Sequence, residues 1–271
     1  MYIKRHITER ITECLRDFPV TLITGARQVG KTTLVSYFAK YHNYDYISFD
    51  DPRILEEAKA NIKTFMSKHS SHVIFDEVQY IPEIFNEIEY IVNKTRLEKG
   101  SEVANGMFIL TGSQKFNLMK GVTESMAGRV AILEIEPLSQ AELQNWESIP
   151  FEVNHKVLLT KESERQITND EIYESIVKGF YPSRWERKDT IVKDFYKNYL
   201  ITYIERDVSQ IIKITEKVKF KNFILLLASL TGQELIVDNL SKNVGVDNKT
   251  INSWLSILIT SNLITLVQPY F

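Results

Sequence analysis

The chain has one cysteine, Cys14, so no disulfide can close within it. That usage fits a reducing compartment such as the cytoplasm. Cys14 shares an amphipathic pattern with Ile7, Ile11, Leu15 and Phe18, which packs it rather than presenting it as a nucleophile. The five histidines, His6, His42, His69, His72 and His155, lack metal-ligand spacing, so neither a zinc site nor a Ser-His-Asp hydrolase is supported. No apolar run reaches the roughly 18 residues of a membrane span, and the first residues lack a signal peptide's apolar stretch. A net charge of −2 leaves no global basic field to advertise nucleic acid, although a local basic face remains open. What is present is ordinary globular composition: 44% hydrophobic and 25% charged over 271 residues. That suffices for a sizeable core in one large or two to three small domains.

The most informative segment is Gly25-Ala26-Arg27-Gln28-Val29-Gly30-Lys31-Thr32, the phosphate-loop pattern G-x-x-x-x-G-K-[ST]. It follows an apolar strand, Val20–Thr24, and opens a helical stretch from Thr32 and Thr33 to Phe38. The glycines let the backbone turn and bring its N–H groups onto phosphate oxygens. Lys31 would reach the β- and γ-phosphates, and the Thr32 hydroxyl would bind Mg²⁺. The bare pattern arises by chance in roughly one chain in a hundred of this length, and the strand–loop–helix setting makes that rarer.

Around this motif, strands and helices alternate. Residues 4–18 form an amphipathic helix ending before Pro19, and strands are expected at 44–49, 72–75, 107–111 and 130–135. Helices are expected from Asp50-Asp51-Pro52 to about Lys68 and over Pro82–Glu98. Such alternation implies an α/β fold: a P-loop NTPase parallel sheet flanked by helices. Beyond about Asn145 the character changes. A polar stretch at 147–170 precedes a long helix over 188–213, whose aromatic stripe reads as core. Three short helices follow, Phe220–Leu230, Ile236–Asn243 and Lys249–Ser261, and then two strands, or a strand and a tail, over Leu263–Phe271.

The chemistry expected around the loop comes from strand ends. Asp76 and Glu77 end an apolar strand, the edge where open α/β sheets bind ligands. Asp76 would hold Mg²⁺, and Glu77 would accept a proton from the attacking water or orient it. Ser113 and Gln114 end the next strand and would touch the γ-phosphate; alternatively they make a polar turn. Arg129, Arg184 and Arg206 are candidates for the cation that offsets charge on the transferred phosphoryl, in cis or across a subunit interface. Each reads more readily as a salt-bridge partner, and Arg27 in the loop either contacts phosphate or is solvated.

Several blocks together resemble the prokaryotic AAA-like ATPases that carry a C-terminal domain of unknown function. They are residues 24–34, 75–79, 110–114, 127–130, Gly179–Pro182 and 203–208, in that order along nearly the whole chain. The resemblance implies an AAA-like ATPase core, a helical segment and a small winged helix. The corresponding boundaries are 1–144, 145–214 and 215–271. It further implies a nuclease-like domain that would begin about where this chain stops. On that basis ATP and Mg²⁺ are the expected ligands. The site is expected to use Lys31, Glu77, Ser113, Gln114, Arg129 and Arg206 for catalysis, Gly25 to Thr33 for nucleotide, and Thr32 and Asp76 for metal.

Residues 235–262 fit a helix-turn-helix, with Asp247 capping its second helix and Asn248, Lys249, Thr250, Asn252 and Ser253 offered outward. Over 217–271 the balance is only five lysines against three acids, so docking on protein competes with DNA binding as its role. A protein partner or a homo-oligomer therefore stands beside DNA, and no membrane is expected. A helicase would need a second core that 271 residues do not hold. A small-molecule kinase is allowed by the loop, but Glu77 beside Asp76 favours water as acceptor. The other open class is a nucleotide-gated binding module with little turnover. No Asn-Lys-x-Asp guanine-reading motif occurs, which favours adenine.

Overall fold

The structure, a computed structural model, describes residues 2–112, 126–147, 153–154, 156, 167–186, 191–203 and 217–269. Contacts divide the chain into two compact units, Met1–Val192 and Lys193–Phe271.

The first unit is built on five parallel strands: β1 (Val20–Thr24), β2 (Asp45–Ser48), β3 (Val73–Asp76), β4 (Phe108–Thr111) and β5 (Val130–Glu134). Their spatial order is β2-β3-β4-β1-β5. The central strands β1, β3 and β4 are buried at every position, as expected when helices cover both faces of a parallel sheet. The edge strands β2 and β5 are only partly buried.

Side chains alternate across the sheet, so each strand feeds two cores. On one face Val20, Leu22, Phe75, Phe108 and Leu110 pack with Ala58, Phe65, Met66, Phe85, Ile88 and Val92. These belong to α3 (Pro52–Ala60), α4 (Ile62–Lys68) and α5 (Ile84–Lys99). On the other face Ile23, Ile74 and Ile109 pack with Ile11, Leu34, Val35 and Phe38. These belong to α1 (Ile7–Asp17) and α2 (Lys31–His42).

One expected helix is two. Asn61 leaves helical geometry (φ −156°, ψ 89°), and its side chain accepts from Thr64 N at 3.0 Å, so it ends α3 and caps α4. The first unit also contains α6 (Ser101–Ala104), α7 (Gln140–Leu143), α8 (Asn169–Lys178) and α9 (Pro182–Glu186). Helix α10 (Val192–Tyr203) straddles the division between units.

The second unit carries α11 (Lys217–Ser229), α12 (Val237–Val244) and α13 (Asn248–Thr260). Its core sets Trp254 edge-on to Phe220 at 5.1 Å and against Phe223 at 5.4 Å. Gly245 ends α12 in the left-handed region, and Asp247 accepts from Thr250 N at 2.6 Å. The strands expected over Leu263–Phe271 do not form at residues 264–269, which carry no ladder. A strand needs a hydrogen-bonded neighbour, and among the described residues this unit contains no other strand to supply one. Helices α12 and α13 thus follow one another across a short turn at Gly245–Asp247.

Candidate nucleotide site

The loop joins the carboxyl end of β1 to the start of α2, and its glycines are required by space and by backbone. Gly25 has φ +144°, and a methyl there would lie 2.3 Å from the Ile135 carbonyl oxygen. Gly30, at φ +94°, caps α2, and a methyl there would meet Pro182 at 3.4 Å. Gln28 is the non-glycine loop residue with positive φ, +63°. Ala26 and Val29 are buried and pin the loop to the core, while Gln28, Thr32 and Thr33 are exposed and Arg27 is half-buried. The first turn of α2 directs its N–H groups into this cradle. Lys31 is 5% exposed, and its ammonium donates to the carbonyls of Gly25 and Ala26, both at 2.8 Å.

Strand order brings the acids to the loop. β4 separates β1 from β3, and Asp76 ends β3 fully buried. Three hydroxyls donate to Asp76: Thr32 to Oδ2 at 2.9 Å, Tyr46 to Oδ2 at 2.7 Å, and Thr111 to Oδ1. Glu77 follows in the left-handed region at φ +61°. Its N–H donates to Thr111 Oγ1 at 3.3 Å, and its carboxylate accepts from the Gln79 amide. Burial pushes the Glu77 carboxyl above the ordinary glutamate range, opposed by the Gln79 hydrogen bond and reinforced by the neighbouring Asp76 charge.

A hydroxyl beside a buried carboxylate at a phosphate loop is a hard, all-oxygen donor pair, which suits Mg²⁺. No cluster of three or more His, Cys, Asp or Glu occurs among the described residues. A site made of one carboxylate, one hydroxyl, phosphate and water needs none.

Not every expected residue converges here. Arg129 stands at the amino end of β5, where its carbonyl accepts from Val20 N at 3.3 Å. The loop leaves the opposite end of the sheet, a five-residue strand or about 16 Å away. The Arg129 guanidinium engages Asn93 Oδ1 at 2.8 Å and Glu89 at 3.5 Å at that end of the sheet. Ser113, Gln114 and Arg206 lie outside the described residues. Arg184 is buried in α9, two residues after the Pro182 that faces Gly30.

The sequence reading missed three contributors. Tyr46 and Thr111 come to Asp76 from neighbouring strands. Arg5 props the loop from beneath, donating to Val29 O at 2.8 Å, Glu136 O at 2.6 Å and Glu142 Oε1 at 3.1 Å. The capping pattern Ser139-x-x-Glu142 was a signal for a fixed acid, but not for its partner 137 residues earlier.

Loop, hydroxyl and buried acid at the carboxyl edge of a β2-β3-β4-β1-β5 sheet decide the fold. It is that of an AAA-like P-loop ATPase. Residues 17–144 match the family model described as an AAA domain, and residues 169–271 match one described as a domain of unknown function. The ATPase fold also appears in the solved structure of a Walker-type ATPase of Pyrococcus abyssi. That protein is 16% identical, with a TM-score of 0.56 over 97% of this chain and 91% of the other.

An uncharacterized protein of Mycobacterium tuberculosis is 23% identical over 99% of this chain and 54% of its own length. One of Methanocaldococcus jannaschii is 23% identical over 93% of this chain and 57% of its own length. The chain thus spans about half the length of the curated relatives it matches. No helix among the described residues is long and apolar enough to cross a membrane.

Proposed function

We propose that the chain binds ATP with Mg²⁺ along Gly25–Thr33 and hydrolyses it. The observation that carries this reading is the Thr32–Asp76 hydrogen bond of 2.9 Å beneath a loop whose Lys31 ammonium already lies against the loop backbone. Thr32 and Asp76 would hold the metal, which would offset phosphate charge. Lys31 would exchange the Gly25 and Ala26 carbonyls for phosphate oxygens. Glu77 would orient the attacking water and take its proton. Ser113, Gln114 and Arg206 remain proposed γ-phosphate contacts, and Arg129 could act only on a neighbouring subunit.

Calorimetry with Mg·ATP, paired with phosphate release, tests this. Wild type should take up nucleotide, Lys31→Ala should not, and Glu77→Gln should bind ATP with turnover lowered about 10²–10⁴-fold. Equal turnover in wild type and Glu77→Gln would remove the role given to Glu77.

The hold of Gln79 on a half-buried Glu77 favours a second reading, slow turnover in a nucleotide-gated module. Its output would be the helices of residues 217–260, whose Asn248, Lys249 and Asn252 would contact DNA phosphates or bases, or a protein partner. Nucleotide-dependent retention of duplex DNA, with salt varied, separates these outputs.

A further inference from the structure

The hydroxyl of Tyr46 is not explained by the fold. β2 pairs with β3 so that Tyr46 lies beside Ile74 and Ser48 beside Asp76. Paired and alternate residues share a face, so the Tyr46 ring lies along the sheet and its hydroxyl reaches the strand end. Any apolar residue would complete the strand, and Tyr46 is 37% exposed, so packing alone does not demand tyrosine. What the hydroxyl reaches is Asp76 Oδ2, at 2.7 Å.

Asp76 is 0% exposed, and a buried carboxylate without compensation is costly. Compensation comes from three hydroxyls of three different elements, α2, β2 and β4. Oδ1 is turned to Thr111 on the sheet, and Oδ2 is the oxygen facing Thr32, where the metal would sit. A carboxylate oxygen accepts about two good hydrogen bonds. On Oδ2 both positions are filled, one by Thr32 and one by Tyr46. Thr32 can offer a lone pair to the metal and keep its proton on Asp76. Only the Tyr46 position is then left for a metal-bound water.

We propose that Tyr46 is a positioning residue that holds the place of the metal's water on Asp76 Oδ2 and gives it up when Mg²⁺ and nucleotide enter. The inference rests on the nucleotide-binding reading above and adds a competition to it. The hydroxyl stabilises the metal-free carboxylate and opposes metal loading by the same interaction.

The test uses the full chain with Mn²⁺ as the metal and ADP as the nucleotide, following free Mn²⁺ by its electron paramagnetic resonance signal. At saturating ADP, Tyr46→Phe should reach half-saturation at about tenfold lower Mn²⁺ than wild type. In parallel, melting temperatures are compared in EDTA and in Mn²⁺ with ADP. The variant should lose stability in EDTA and recover most of it when loaded. Tyr46→Met, a flexible apolar chain with no donor, is read the same way if the phenyl ring does not pack.

Unchanged or higher half-saturation, or an equal melting loss in both media, overturns the proposal. So does a variant that folds in neither medium, because metal must be able to replace the lost donor. If wild type itself takes up no Mn²⁺ with ADP, the nucleotide reading fails instead.

Discussion

At Gly25 the sequence motif and the packing make the same demand for different reasons. The motif needs a turn, and the structure leaves no room for a methyl beside Ile135 O. Gly25→Ala should therefore lose about 1–3 kcal/mol in urea unfolding, together with nucleotide uptake. Glu77 carries a prediction of the opposite sign. Its carboxyl is raised in the folded state, so the protonated form is favoured there. The penalty is absent below the ordinary glutamate pKa of about 4.3 and complete above the raised folded value. The metal-free Glu77→Gln protein should melt higher than wild type at neutral pH. The gap should close as pH falls into the ordinary glutamate range, as a pH series of thermal melts would show. Lys31, Thr32, Asp76 and Glu77 were legible because each sits in a local pattern. Tyr46 and Thr111 were not, because they meet Asp76 from 30 and 35 residues away.

Between elements, the contact of greatest consequence for the loop is the buried ion pair of Arg5, 5% exposed, with Glu142, 7% exposed. It ties the approach to α1, the loop carbonyl of Val29 and the start of α7 into one piece. Breaking such a pair strands a buried charge, so Arg5→Ala should cost about 3–5 kcal/mol in denaturant unfolding and weaken nucleotide uptake with it. The α3–α4 junction shows how periodicity misleads. Ile54, Leu55, Ala58, Ile62, Phe65 and Met66 all contribute to one core, and that apolar spacing reads straight through Asn61. The side chain of Asn61 bonds the backbone instead and restarts the helix. Asn61→Ala should cost about 1 kcal/mol by thermal melting. At residues 264–269 the opposite error occurred: an extended-looking sequence was read as strand, although pairing, not pattern, makes a strand.

For the whole molecule, the two units give the coupling hypothesis a direct measurement. A ligand at about a hundred times its Kd stabilises the state that binds it by about 2.7 kcal/mol. Calorimetric scans with Mg·ADP should raise the transition of residues 1–192, and coupling requires that the transition of 193–271 move as well. A shift confined to the first unit would refute coupling and leave nucleotide binding intact. The sequence alone determined the α/β class, the order of strands and helices along the chain, the loop and the acid pair. These rest on short-range periodicity and on residue types that backbone geometry imposes locally. Tertiary structure decided the order of strands in space, the edge on which Arg129 lies, and the hydroxyls that surround Asp76. Those depend on which segments hydrogen-bond side by side, and that choice is made by burial over long stretches of chain rather than by any neighbourhood within it.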